Sequence, residues 1–196
     1  MNRRTFLIAS PAVAAAGLLL SACSTTVTKP DAAAGNAAKR REIDTAADAT
    51  LSRLYSTANG SKAIADRAVA MLIFPRVLSG GLVVGGEYGD GVMRVGGRDE
   101  GYYRIIGGSF GWQAGAQSQA IVLMFLSREA LDRFRSSSGW TAGADAGVSV
   151  ANVGANGQID TNTVKQSVVA FALTNVGLYA GLKIEGAKIT RLDNSS

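Results

Sequence analysis

The chain has 196 residues, of which 47% are hydrophobic and 7% aromatic, with a formal charge of +5. It contains no histidine and one cysteine, so the commonest general base and metal ligand is missing and no intrachain disulfide can form. A net charge this mild permits an anionic partner without requiring one.

Residues 1–22 read as an export signal. Arg3 and Arg4 form a positive start, Phe6 to Leu20 an apolar stretch, and Leu20-Ser21-Ala22-Cys23 a small-residue cleavage site. A cysteine directly after Leu-Ser-Ala resembles a bacterial lipobox, which predicts that Cys23 is acylated and becomes the first residue of the mature chain. Acylation would use the only thiol, leaving none for a nucleophile or a zinc site. Arg3-Arg4 is also similar to a twin-arginine signal, so the export route stays open. Cleavage would leave 174 residues (196 − 22) with a charge of +3 (5 − 2), enough for one domain with a core of its own. An exported domain is a poor match for nucleic acid.

Residues 23–40 are rich in Ala, Thr and Ser and carry Pro30 and Gly35, which predicts a flexible tether. The domain is then expected over 41–193. Ile43, Ala47, Leu51, Leu54, Tyr55 and Ala58 recur at helical spacing, with Asp44, Asp48, Ser52 and Ser56 on the other side. Asn59-Gly60 ends that helix, and Ser61 is placed to cap a second, carrying Ile64, Ala65, Ala68, Val69 and Leu72 and ending before Pro75. Beyond Pro75 the period shortens towards two. LVVGGEY, GVMRVGG, GYYRIIGGSFGWQAG and QAIVLMFLS read as strands separated by glycine turns. Ser127 caps a short helix from Arg128 to Arg135. Strands are expected at Val148 to Val153, Val168 to Leu173, Gly177 to Ile184 and Ala187 to Leu192, with a frayed tail over 193–196. The pattern predicts a mainly β (α+β) protein: a small antiparallel β-barrel-like core, about three helices on its surface, and two flexible loops, at Gly85 to Gly91 and Trp140 to Thr163.

The glycines are not a phosphate cradle. A P-loop needs Gly-Lys followed by Ser or Thr, and that sequence is absent. Gly89-Asp90-Gly91 sits between alternating apolar runs and reads as a hairpin turn; Gly85-Gly86, Gly96-Gly97 and Gly107-Gly108 read as bends at or within strands.

FPRVLSGGLVVGGEYGDGVM, GGSFGWQAGAQSQAIVLMF, GWTAGADAGVSV and GLYAGLKIEGAKI, in that order, resemble the blocks of the SYLF domain family over roughly Ile43 to Leu192. The resemblance implies a barrel-like core with packed helices and binding to acidic phospholipids such as phosphoinositides. Some eukaryotic members bind actin, a role not carried to an exported bacterial lipoprotein. Where the family often has an Asp shortly after Gly115-Ala116-Gln117, this chain has Gln119 and Ala120.

Lys39, Arg40, Arg41, Arg53, Lys62, Arg67 and Arg76 are the candidate lipid-binding residues. With Glu42, Asp44, Asp48 and Asp66 in the same window they leave +3 (7 − 4), while the rest of the mature chain balances eleven bases against eleven acids. Each taken singly reads as part of a solvated charged face. Trp140, in a glycine-rich stretch, is the candidate interfacial aromatic, and Trp112 reads as core. Glu87, Asp90, Asp99 and Glu100 could form a catalytic carboxylate pair, but beside glycines they read as turn residues. No enzyme, no cofactor and no metal site is expected. The function read from the sequence is a monomeric lipoprotein, anchored at the outer membrane, that binds acidic phospholipid weakly; the alternative is an envelope structural or assembly protein that binds another protein.

Overall fold

The computed structural model describes residues 32–81, 84–110, 117–137, 139–141, 148–150, 159, 166–175, 177–178 and 186–192. All belong to one compact unit, Asp31–Ser196. The signal, Cys23, Trp112 and the tail at 193–196 lie outside the described residues, as does most of the expected loop at 140–163.

Helix α1 spans Ala32–Thr57 and α2 Ser61–Ala65. Four long strands follow, β1 (Ala70–Gly81), β2 (Val84–Val95), β3 (Arg98–Phe110) and β4 (Gln117–Phe125). After α3 (Arg128–Ser136) come β5 (Trp140–Thr141), β6 (Val148–Val150), β7 (Val168–Thr174), β8 (Gly177–Leu178) and β9 (Lys188–Arg191). They form one sheet in the order β5-β9-β3-β2-β1-β4-β7-β6, with β8 also on β7. Neighbours are antiparallel except β6 and β7, which are parallel. The fold is mainly β with three helices, as expected, but among the described residues the sheet is open. Its end strands are two and three residues long, and short edges offer little backbone for a foreign strand to pair with.

The sheet buries both faces. One carries Leu72, Phe74, Met93, Ile105, Leu123 and Phe125 against α3; the other carries Ile73, Val92, Val122, Met124 and Phe171 against α1 and α2. Phe134 of α3 lies 5.2 Å from the rings of both Tyr103 and Phe125, on strands β3 and β4. Those strands are three places apart in the sheet, about 14 Å if it were flat. The sheet therefore curls around α3, which makes that face concave and gives the barrel-like form without closure.

Several expectations change. Helix α1 begins at Ala32, so residues 32–40 of the expected tether are helical; alanine-rich sequence favours helix, and Lys39 is fixed to the sheet. The second helix is one short turn capped at Gly60, and Leu72 lies in β1. Ser61 is buried instead of capping, its hydroxyl donating to the Leu54 carbonyl at 3.2 Å. A continuous apolar run such as Met71-Leu72-Ile73-Phe74 suits a strand buried on both faces, and periodicity alone cannot tell it from a helix. The predicted loop at Gly85 to Gly91 is strand β2, and Gly89-Asp90-Gly91 is no turn. There β1 bulges around Pro75, which has no N–H to give the ladder. A Cβ on Gly89 would stand 2.6 Å from the Arg76 carbonyl oxygen, and one on Gly91 2.6 Å from Phe74 Cδ1. Glycine lets the two backbones close up at the bulge. The hairpin turn is Gly96-Gly97, both at positive φ (57° and 78°).

Candidate functional site

The helix-bearing face of β2 and β3 carries a layer of charge beneath α1. Asp90, Val92 and Arg94 alternate with concave-face residues along β2, so all three point towards α1. Asp90 stands opposite Arg104 on β3 and Arg76 on β1. Its carboxylate is only 8% exposed and accepts from Arg104 Nε at 2.7 Å and Nη2 at 3.2 Å. Lys39 Nζ of α1 is 2.5 Å away. Burial opposes the charge on Asp90, but the hydrogen bonds from Arg104 and Lys39 outweigh it and hold the carboxyl below its usual range. The Arg104 guanidinium also stacks 4.9 Å from the Tyr88 ring centroid.

Further along, Arg94 joins Asp48 of α1 to Asp99, the latter at 2.8 Å. Tyr102 donates to both Asp44 oxygens, at 3.1 and 3.0 Å, and its ring lies 5.2 Å from the Arg40 guanidinium. Burial first, and the Asp44 hydrogen bond second, push the Tyr102 phenol up to about 12. Asp44 and Asp48 were expected on the solvent side of α1; they instead clip that helix to the sheet.

The seven candidate basic residues do not share one surface. Lys39, Arg40 and exposed Arg41 lie near the amino end of α1, and exposed Arg76 lies across the ladder from Asp90. Arg53 is some 20 Å further along α1 at 1.5 Å per residue. Lys62 and Arg67 lie beyond the carboxy end of α1, and Lys62 pairs with Asp66 at 2.8 Å. The structure thus gathers Lys39, Arg40, Arg41 and Arg76 at one end and places Arg53, Lys62 and Arg67 towards the other. It adds Arg104, which the sequence reading missed because only the β2–β3 register brings it to Asp90.

Trp140 is not interfacial. It is 1% exposed on β5, its ring 5.6 Å from that of Phe134, because pairing with Ile189 of β9 turns it into the concave core. The four carboxylates do not converge. Glu87 faces the concave side beside Gly107 and Ala187, Asp99 binds Arg94, and Glu100 binds Arg135. Among the described residues no His, Cys, Asp and Glu cluster could hold a metal, and no helix is long and apolar enough to cross a membrane. Where the family's acid is replaced, Ala120 is buried in the core of β4.

These features define a β-rich module with one strongly basic end. Residues 106–195 match the model of the Ysc84 family, described as Las17-binding protein actin regulator. The match bears out the SYLF resemblance over residues 106–195, the later part of the span from Ile43 to Leu192 that suggested it. The gathered basic residues all precede the matched segment. No curated protein matches the chain.

Proposed function

We propose that the chain is a non-enzymatic, lipid-anchored envelope protein whose domain binds acidic phospholipid headgroups through Lys39, Arg40, Arg41, Arg76 and Arg104. The observation that carries this reading is the grouping at Asp90. Lys39, Arg76 and Arg104 surround one acid, so this end of the sheet keeps a surplus of positive charge where it faces solvent. The family match adds a class in which lipid binding is one of two activities, and actin is no partner for a chain exported as residues 1–23 predict.

Two forces act in this proposal. Acyl chains on Cys23 supply residence, at roughly 0.8 kcal/mol per buried methylene, and more than one chain makes it stable. The basic residues supply headgroup preference, at about 1 kcal/mol each near an anionic surface. Even weak sites fill, because a short tether sets an effective concentration on the order of millimolar. Dispersed ion-paired carboxylates support the non-catalytic part. We assign the protein to the outer membrane, since Ser24 and not Asp follows Cys23.

The test is vesicle co-sedimentation of residues 24–196 bearing Arg41→Glu and Arg76→Glu together, both at exposed positions. Loss of binding to acidic vesicles with an unchanged melting temperature supports the proposal. Unchanged binding sinks it and favours a role in envelope assembly through another protein.

A further inference from the structure

Three large apolar side chains on the described strands stay exposed, Leu78 at 49%, Tyr88 at 44% and Ile106 at 52%. They lie on adjacent strands and are direct partners: Leu78 is opposite Tyr88, and Tyr88 opposite Ile106. Directly opposed residues point the same way. The three therefore form one row across β1, β2 and β3, on the face that carries Asp90. On one side of the row lie Arg76, Asp90 and Arg104. On the other lie Gly80, Gly86 and Gly108, again direct partners, where an added Cβ would meet nothing nearer than 4.0 Å. The result is an apolar ridge with cations behind it and bare backbone in front.

Helix α1 points towards this ridge. Asp48 meets Arg94 and Lys39 meets Asp90. Nine helical residues (48 − 39) rise about 14 Å, and four strand residues (94 − 90) rise about 13 Å, so the amino end of α1 advances along β2 in step with it. Tyr88 is two residues beyond Asp90, and α1 continues seven residues beyond Lys39 to Ala32. The amino end of α1 therefore lies at the end of the sheet that bears the ridge.

We infer that Leu78, Tyr88 and Ile106 are a membrane-docking ridge, whose occupant is the headgroup–acyl boundary of a bilayer rich in acidic phospholipid. This rests on the lipid-binding reading above and adds to it a place, a depth and an orientation. Two observations choose a bilayer. Three cations against one acid stand directly behind the row, matching an anionic surface, and the amino end of α1, which follows the proposed anchor in the chain, lies at the same edge. An aliphatic–aromatic–aliphatic row suits that depth, since a tyrosine ring seats at the headgroup level with its hydroxyl in water. Docked this way, the ridge enters while Arg76 and Arg104 meet phosphates, and α1 stands off the membrane at its carboxy end.

The test uses the full acylated protein, in which the Cys23 thiol is blocked. Leu78→Cys, Tyr88→Cys, Ile106→Cys and, as a control on α1, Arg53→Cys are each labelled with an environment-sensitive fluorophore. All four positions are exposed and each is tested separately, with circular dichroism confirming the fold. The proteins are bound to phosphatidylcholine vesicles with or without phosphatidylglycerol, carrying a headgroup-level quencher. Quenching at 78, 88 and 106 several-fold above that at 53 supports the ridge. Vesicle-bound protein with equal or absent quenching at all four positions overturns it. So does a spectral change at the three positions that grows with protein concentration without vesicles, since a second copy would then cover the row. Ridge quenching of equal strength on neutral and acidic vesicles would sink the headgroup reading and leave the ridge in place, which keeps the two failures apart.

Discussion

Asp90 and Glu87 are three residues apart on β2 and respond to pH in opposite senses. Asp90 points to the helix-bearing face; burial opposes its charge, but Arg104 and Lys39 hold its carboxyl low. Its contribution is present above the unfolded value of about 3.9 and is lost as pH falls through the lower folded value. Asp90→Asn should therefore melt lower than the parent at pH 7, and the gap should narrow in acid below about pH 4. Glu87 points to the concave face, where burial raises its pKa. The ionised form is the costly one, so Glu87→Gln should melt higher than the parent at pH 7, with the gain vanishing below an unfolded value of about 4.3. Thermal melts across pH 3 to 8 check both, and a destabilising Glu87→Gln at pH 7 would contradict this account of the concave face. The glycines divide just as sharply. Gly89→Ala forces a Cβ against the Arg76 carbonyl at the bulge and should cost on the order of 1–3 kcal/mol, whereas Gly80→Ala meets nothing within 4 Å and should be neutral or mildly stabilising. The sequence reading put Gly89 in a hairpin turn and did not single out Gly80, and it could not say which had space beside it, because that depends on a neighbouring strand.

Helix α3 shows how far an element can be read before its surroundings are known. Ser127 accepts from the Ala130 amide at 3.2 Å, as a cap should, and Ala130, Leu131 and Phe134 face inward. The cap residue and the apolar spacing are local, so both were legible. That Phe134 becomes the centre of an aromatic cluster with Tyr103, Phe125 and Trp140 was not, since four separate elements meet there. Phe134→Ala should cost about 3–5 kcal/mol, read as a shift in the denaturation midpoint, and Trp140→Ala should destabilise without changing the acidic-lipid preference of what remains folded. Lipid preference that fell with Trp140→Ala in a stably folded protein would restore Trp140 as an interfacial residue. Helix α1 is the converse case. Its apolar stripe of Ala47, Leu51, Leu54 and Ala58 was legible from spacing and is buried. Its extension back to Ala32 was hidden because Lys39 finds its carboxylate 51 residues away (90 − 39), on a strand whose register local sequence does not reveal.

Across the whole molecule the basic excess resolves into two ends, a division that a one-dimensional count cannot show. The window from Lys39 to Arg76 holds seven bases in sequence, yet α1 carries Lys39, Arg40 and Arg41 away from Lys62 and Arg67 while the sheet brings Arg76 and Arg104 back to Lys39. Reversing Lys62 and Arg67 should leave acidic-vesicle binding nearly unchanged, while reversing Lys39 and Arg76 should remove most of it. Similar losses from both pairs would mean that diffuse charge, and no located face, drives binding. An exposed apolar row was likewise beyond the sequence, where Leu78, Tyr88 and Ile106 are ordinary strand residues on three different segments. The most direct measurement takes residues 24–196, without acyl chains, and compares co-sedimentation with neutral and acidic vesicles at low salt and near 1 M, where screening shortens to about 3 Å. Binding to acidic vesicles alone, lost at high salt, is the predicted result. No binding to either, or equal binding to both that salt does not touch, would contradict headgroup recognition by the basic end and leave membrane association to Cys23.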